Sequence, residues 1–192
     1  MSDDLAATLR ALLDRLAVLG LRYMLVGSVA ALAHGRSRAT QDFDVVVDLD
    51  ETSLRRLLAA LPAGRFYVSL EAALDALVRR TLFNIIDLET GWKIDVVPLK
   101  RRPFSVRELE RRVPVSLFGA SVYVATVEDT IVAKLEWSRM SGGSARQMED
   151  VVELLRIAAA RLDRDYVEAA VRELGLDEEW RAAGSASTNR AR

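Results

Sequence analysis

The sequence predicts an α/β fold of the α+β type, in which a mixed sheet with its helices is followed by a helical region. Short β-branched apolar runs alternate with helix-like leucine spacing in the first two-thirds of the chain, and two hairpin signals follow. The last third has helical periodicity alone. We therefore divide the chain into an α/β core at 1–125, a helical C-terminal region at 126–183 and a small, polar tail at 184–192, which we expect to be disordered.

Helices and strands alternate in the first half of the chain. Leucines at 5, 9, 12, 13, 16 and 19 predict a helix over 3–19, which Gly20 ends. The further predictions, in order, are a strand at 21–26, a helix at 29–34, a strand at 42–48, a helix capped by Asp50, a strand at 66–68 and a helix at 71–79.

Two hairpins and a set of helices complete the prediction. The first hairpin joins strands at 82–88 and 92–99, and the second joins 113–118 to 121–125 through Gly119. Helices are predicted from 127, over 146–160 and over 164–174. The spacing leaves the order of the strands in the sheet open.

The composition excludes several kinds of chemistry. The 192 residues are 51% hydrophobic and 29% charged, and the net charge is −1. Without cysteine the chain has no disulfide, thiolate zinc site or cysteine nucleophile, and its one histidine, His34, excludes multi-histidine zinc sites. The overall charge does not favour nucleic acid, although it leaves room for a local basic patch.

The sequence does not indicate a membrane protein. No apolar run reaches the ~18 residues that a membrane span requires. The start of the chain, at 1–4, is acidic where a signal peptide would be basic. We therefore expect a cytoplasmic protein without a membrane partner.

Carboxylates on two predicted strands are the most informative residues. Asp42 and Asp44 are two positions apart and therefore share one strand face, and Lys93 shares a face with Asp95 in the first hairpin. If these strands are neighbours, three carboxylates converge, and such a cluster is costly unless a cation neutralises it. Carboxylate oxygens suit Mg²⁺, and two such ions can activate a nucleophile and stabilise a leaving oxygen. Lys93 either pairs with Asp95 or reaches a phosphate.

A predicted phosphate site lies upstream of the acidic strand. Gly27 allows close approach of the backbone to a ligand, and Ser28 can cap the helix that begins there. The helix N-terminus favours an anion such as phosphate. Arg36 and Arg38, in the loop before Asp42, are candidates to contact nucleotide phosphates. A phosphate site beside a carboxylate cluster is what metal-assisted nucleotidyl transfer requires.

These motifs together resemble the DNA polymerase β-type nucleotidyltransferase superfamily. Leu25-Val26-Gly27-Ser28 precedes Asp42-Phe43-Asp44 by thirteen residues, and Ile94-Asp95-Val96 follows on a later strand. The chain is most similar to small bacterial members, including AbiEii-like toxins of type IV toxin–antitoxin systems. Similar helical motifs are 127–134, which ends in Lys134, and 146–150. The resemblance covers about residues 20–155.

The resemblance implies a role for each matching residue. Asp42 and Asp44 would bind Mg²⁺, and Asp95 would complete a second metal site and help to deprotonate the acceptor hydroxyl. Gly27 and Ser28 would bind the β- and γ-phosphates. The reaction would move a nucleoside monophosphate from an NTP such as ATP to a hydroxyl and release pyrophosphate.

The resemblance also extends to the helical region and to partners. Lys134 would neutralise phosphate charge, and Asp150 would be an additional site residue, with Arg146 beside it. The acceptor stays open between the 3′ end of a tRNA, a protein hydroxyl and a small molecule such as an antibiotic. A cognate antitoxin is a further candidate partner.

Alternative interpretations accompany these assignments. Asp87 could replace Asp95 as the third carboxylate, although its place near a turn favours a solvated position. Lys134 could be a surface lysine, and Arg146 with Asp150 has the spacing of a surface ion pair.

Two larger features also have alternative interpretations. The basic segment at 100–112 could hold an RNA backbone or form a solvated helix face. The whole core could be a catalytically inactive module that binds a nucleotide or a partner of a toxin–antitoxin pair.

Overall fold

The computed structural model describes residues 2–36, 42–117 and 119–190, and it confirms the predicted α/β class. The helices are α1 (Ser2–Val18), α2 (Gly27–Ala33), α3 (Glu51–Ala60), α4 (Leu70–Arg79), α5 (Pro103–Arg111), α6 (Val127–Met140), α7 (Ala145–Ala158), α8 (Arg164–Leu174) and α9 (Asp177–Arg190). The strands are β1 (Tyr23–Val26), β2 (Asp42–Val47), β3 (Phe66–Tyr67), β4 (Phe83–Asp87), β5 (Lys93–Pro98), β6 (Val113–Leu117) and β7 (Ala120–Val124).

All of these strands form one mixed sheet in the order β3-β4-β5-β2-β1-β7-β6. The pairs β2–β5 and β1–β7 are parallel, whereas the other neighbours are antiparallel. The two predicted hairpins, β4–β5 and β6–β7, are present. The structure decides the order that the spacing left open, because β2 and β5 are neighbours although about 45 residues separate them in the chain.

Contacts divide the chain into two compact units. The sheet unit comprises Met1–Val26 and Ala39–Val124, and the helical unit comprises Gly27–Arg38 and Ala125–Arg192. The sequence-based division at 125 does not anticipate that α2 packs against α6 in the helical unit. Local patterns place α2 between two strands of the core, and only long-range packing shows its partner.

The core of the sheet unit lies on one face of the central strands. Phe43, Val45 and Val47 alternate along β2 and are fully buried, as are Ile94 and Val96 on β5. Each such side chain contributes about 1.5–3 kcal/mol when it is removed from water. The intervening positions of both strands therefore face away from this core, and they include the acidic residues.

Local side-chain bonds define several helix ends. Asp50 caps α3 by accepting a hydrogen bond from the backbone N–H of Ser53, which confirms the predicted cap. Thr126 caps α6 by accepting from the N–H of Asp129. The basic segment includes α5, whose Phe104 and Leu109 are buried, and this favours the helix-face interpretation.

The C-terminal end differs from its prediction. α9 continues through Gly184 to Arg190, whereas the small, polar composition predicts a disordered tail. Leu176, before this helix, and Ala183, within it, are fully buried, and α9 packs against α7. None of the helices in the described ranges is long and apolar enough to cross a membrane.

Candidate active site

The parallel pairing of β2 with β5 brings the predicted carboxylates together. Asp42 lies opposite Lys93, and Asp44 lies opposite Asp95. Residues in register on neighbouring strands point to the same face, and residues two apart on a strand do so as well. Asp42, Asp44, Lys93 and Asp95 therefore share one face of the sheet, opposite the apolar core. We call the three aspartates the acidic cluster.

Asp95 is the most enclosed member of this cluster. The residue is 7% exposed, although its neighbours on the same face are half-exposed. Its carboxylate accepts hydrogen bonds from the Nδ2 of Asn84, which lies opposite it on β4, and from the Nζ of Lys93. Asn84 was not among the site residues predicted from the sequence, although the register of the hairpin places it opposite Asp95.

Lys93 supplies a positive charge among the three carboxylates. Its Nζ is 3.0 Å from Asp95 Oδ1 and 4.0 Å from Asp42 Oδ2. The hydrogen bond to Asp95 raises the pKa of Lys93, and the charges of Asp95, Asp42 and Asp44 raise it further against the effect of burial. The ammonium is therefore protonated at neutral pH.

The donor chemistry of the cluster fits a hard divalent cation. Carboxylate oxygens are the ligands that Mg²⁺ prefers, and three carboxylates share this face of the sheet. The Lys93 ammonium, which contacts Asp95 and lies 4.0 Å from Asp42, shows that a cation is accommodated here. Across the described ranges, however, no three His, Asp or Glu side chains are arranged to hold a metal ion as they stand.

Gly27 and Ser28 begin α2, directly after β1. Gly27 has a φ of 61°, a left-handed conformation that favours glycine. Val26, the residue before it, lies opposite Asp44 in the β1–β2 register. Arg38, the predicted phosphate ligand in the following loop, lies outside the described residues.

Asp87 occupies a different environment from the one predicted. It alternates with Phe83 and Ile85 on β4 and is fully buried, so the expected solvated position is wrong. Its carboxylate accepts hydrogen bonds from Arg65 Nη2 at 2.8 Å and Thr8 Oγ1 at 2.6 Å. Asp87 points to the opposite face of the sheet from Asn84 and Asp95, away from the acidic cluster.

Burial alone would raise the pKa of Asp87. The hydrogen bonds from Arg65 and Thr8 and from the backbone N–H of Glu89 outweigh that effect and leave the pKa below its ordinary value. Asp87 is therefore ionised, and its hydrogen bonds to Arg65 and Thr8 within the core indicate a structural role.

Lys134 and Asp150 form a buried ion pair in the helical unit. Lys134 Nζ is 2.8 Å from Asp150 Oδ2, and the two side chains are 4% and 2% exposed. Lys134 also donates to Gln147 Oε1, and Arg36 Nε donates to Asp150 Oδ1 at 3.2 Å. A surface position for Lys134 and a surface ion pair for Asp150 are therefore both wrong. Arg146, on the same helix as Asp150, is exposed.

Comparison with known proteins identifies the fold. No protein-family model and no curated protein sequence matches the chain. The solution structure of the antibiotic-resistance factor ANT(2'')-Ia matches it with a TM-score of 0.59 at 15% identity, over 100% of this chain and 98% of that one. The crystal structure of ANT(2'')-Ia in complex with adenylyl-2''-tobramycin gives 0.60 at 15% identity, over 88% and 95%.

A second kind of antibiotic-modifying protein has the same fold. The lincomycin-bound lincosamide antibiotic adenylyltransferase LnuA matches with a TM-score of 0.53 at 13% identity, over 78% of this chain and 95% of that one. The chain has a nucleotidyltransferase fold. This agrees with the predicted superfamily at the level of fold, while the similarity to AbiEii-like toxins stays a prediction. In this nucleotidyltransferase fold, the acidic cluster is the candidate active site.

Proposed function

We propose that the chain is a Mg²⁺-dependent nucleotidyltransferase that moves a nucleoside monophosphate from an NTP, such as ATP, to a hydroxyl. The observation that carries this proposal is the register of β2 with β5, in which Asp44 lies opposite Asp95 on the same face as Asp42. The shared fold with ANT(2'')-Ia and LnuA supports transfer of a nucleotidyl group rather than another metal-dependent reaction.

The residues of the acidic cluster would hold the metal. Asp42, Asp44 and Asp95 would bind one or two Mg²⁺ ions, which when bound neutralise the triphosphate and make the acceptor hydroxyl more acidic. The acceptor oxygen would bond to the α-phosphorus, and the bond to the β-phosphate oxygen would break to release pyrophosphate. The proton of the hydroxyl would leave toward Asp95.

Phosphate binding is assigned to the start of α2. The backbone of Gly27, in its left-handed conformation, and the hydroxyl of Ser28 would bind the β- and γ-phosphates. Arg38 would add a cation. Lys134 and Asp150 are bonded to each other and buried, which supports a role in holding the helices rather than direct contact with nucleotide.

The acceptor belongs to one of two classes. ANT(2'')-Ia was solved with adenylyl-2''-tobramycin and LnuA with lincomycin, so a hydroxyl-bearing antibiotic is one candidate acceptor. The resemblance to toxin nucleotidyltransferases supports a macromolecule, either the 3′ end of a tRNA or a protein.

A label-transfer experiment tests the proposed function. The purified chain is incubated with Mg²⁺ and each α-labelled NTP in separate reactions, with total RNA, with an aminoglycoside or lincosamide, or alone. We expect label on one acceptor class and none with Asp44→Asn. Asp50→Asn is the matched control, because asparagine caps a helix as well as aspartate does.

The same samples test the second candidate function, a binding module without catalysis. The observation that favours it is that Lys93 already supplies a cation among the carboxylates. If NTP with Mg²⁺ raises the melting temperature but no acceptor, including the chain itself, becomes labelled, the binding module replaces the enzyme.

A further inference from the structure

The ammonium of Lys93 contacts carboxylate oxygens of Asp95 that a metal ion would also bind. Lys93 precedes Asp95 by two residues on β5 and lies opposite Asp42 on β2. Its ammonium contacts both Asp95 Oδ1, at 3.0 Å, and Asp95 Oδ2, at 3.1 Å, and it is 4.0 Å from Asp42. An ion that binds the Asp95 carboxylate at the 2.0–2.1 Å typical of Mg²⁺ therefore competes with the Lys93 ammonium for these oxygens.

Electrostatics explains why a lysine is present in this place. Carboxylates that share one face of a sheet repel one another, and a cation among them reduces that repulsion. The Lys93 ammonium, in contact with Asp95 and 4.0 Å from Asp42, supplies one positive charge there in the absence of a divalent ion. A divalent ion supplies two positive charges, but it gains less when the lysine has already neutralised part of the cluster.

The side chain of Lys93 can also rotate away from the aspartates into solvent. It is 43% exposed, whereas the buried Lys134 is 4% exposed in its pair with Asp150. Lysine carries a compact charge on a flexible four-carbon stem, so rotation of the stem can move the ammonium into water without a change in the strand.

We propose that Lys93 is a built-in counter-cation that occupies the acidic cluster until a divalent ion displaces it, so that Lys93 sets the metal affinity of the site. This rests on the proposed function for the identity of the metal site. Lys93 is then a positioning residue: its ammonium bonds to the Asp95 carboxylate and lies 4.0 Å from Asp42 before the metal ion arrives, and it weakens binding of the ion.

Metal binding measured without catalysis tests this role. Free Mn²⁺ is followed by electron paramagnetic resonance during titration of the wild-type chain and of Lys93→Met, which keeps the stem and removes the charge. We expect Lys93→Met to bind Mn²⁺ about ten-fold more tightly, which corresponds to about 1.4 kcal/mol. Lys93→Arg keeps the charge and should bind Mn²⁺ with nearly wild-type affinity.

Lys100→Met is the matched control for loss of one positive charge. Lys100 lies beyond the end of β5, whose five steps from Lys93 to Pro98 span about 17 Å at ~3.3 Å per residue. Salt screens charges beyond about 8 Å at physiological ionic strength, so this variant should bind Mn²⁺ as the wild type does.

A second readout compares thermal stability with and without metal. In EDTA, Lys93→Met should melt below the wild type because the buried Asp95 loses the ammonium that bonds to it. Mn²⁺ should raise the melting temperature of this variant more than it raises that of the wild type. If the methionine variant does not fold, Lys93→Gln provides the same uncharged comparison.

The outcomes separate this inference from the proposed function. Equal or weaker Mn²⁺ binding by Lys93→Met overturns the counter-cation role, and if Asp44→Asn then abolishes binding, the proposed metal site stands. If neither the wild type nor Lys93→Met binds Mn²⁺, both proposals fail. Tighter binding by Lys93→Met and by Lys100→Met alike also overturns the inference, because the effect would then be one of net charge.

Discussion

The two units of the molecule each contain a lysine–aspartate pair, and the two pairs differ in exposure. In the sheet unit, Lys93 is 43% exposed and its partner Asp95 lies beside the carboxylates Asp42 and Asp44. In the helical unit, Lys134 and Asp150 are both almost fully buried. The same two residue types thus form an open pair on a sheet face and a closed pair between helices.

Because Lys93 is half-exposed and Lys134 is buried, only the lysine of the sheet pair can be replaced by a cation from solvent. Removing a partner from a closed pair leaves a charge in a low-dielectric environment, which is strongly destabilising. In the sheet pair only Asp95 is buried, and the Lys93 ammonium is 43% exposed, so it can stay in contact with water when its partner is removed. We therefore expect substitutions in the sheet pair to change function and substitutions in the helical pair to change stability.

The largest effect is expected at Asp44. Asp44→Asn should lower kcat/KM for nucleotidyl transfer by about 1,000-fold or more, about 4 kcal/mol, because one metal ligand and its charge are lost. Its melting temperature in EDTA should stay close to that of the wild type, because the substitution also removes a like charge from the cluster. Activity and melting temperature are measured on the same preparation, and a variant that loses both together would contradict this assignment.

A stability effect of similar size is expected in the closed pair. Asp150→Ala should lower the free energy of unfolding by about 3–5 kcal/mol, because the Lys134 ammonium stays buried without this carboxylate. Urea denaturation at neutral pH measures the change. The double variant Asp150→Leu with Lys134→Met, which removes both charges, should regain more than half of the loss; no recovery would show that the pair is not the cause.

A smaller loss of stability is expected at Asp87, and its substitution also tests whether Asp95 or Asp87 is the third carboxylate of the active site. Asp87→Asn should lower the free energy of unfolding by about 2 kcal/mol, because charged hydrogen bonds to Arg65 and Thr8 are weakened. The activity per folded molecule should be unchanged, since Asp87 lies on the core face. Loss of activity in folded Asp87→Asn, with activity kept in Asp95→Asn, would exchange their roles.

Asp87→Asn should also change how strongly the stability of the chain falls at acidic pH. Because the pKa of Asp87 is lowered in the folded chain, its contribution is complete above the ordinary value of 3.8 and is lost as the pH falls through the lower folded pKa. The wild type should therefore lose more stability than Asp87→Asn when the pH is reduced below about 3.8, as measured by urea midpoints.

The smallest effect is expected at His34. Its Nε2–H donates to the backbone oxygen of Ala125, and burial lowers its pKa below 6.5 despite that bond. The unfolded chain therefore binds a proton that the folded chain does not, so stability falls as the pH decreases from 6.5 to the folded pKa.

The test of His34 uses the fact that the chain has one histidine. Its imidazole resonances can be titrated without assignment, and we expect a midpoint below 6.5. His34→Gln keeps an amide donor in place of Nε2 and should lose the pH dependence of the melting temperature between 5.5 and 7. A midpoint above 6.5 would contradict the predicted direction.

Periodicity predicted most elements because their signals are local. The alternation of Phe43 and Val45 with Asp42 and Asp44 is sufficient to place a strand and assign its two faces, and Asp50 is sufficient to place a helix start. The continuation of α9 beyond Ala183 was not predicted, because the packing of α9 against α7 is a long-range contact that the small, polar composition of 184–190 does not indicate.

The sequence by itself determined which carboxylates were candidates and that Asp42 and Asp44 share a face, because a strand has a period of two. Only the tertiary structure decided that Asp95 joins them, that Asp87 faces the core and that Lys134 is buried. These facts depend on which strands and helices are neighbours, and that order results from long-range packing, which local spacing does not encode.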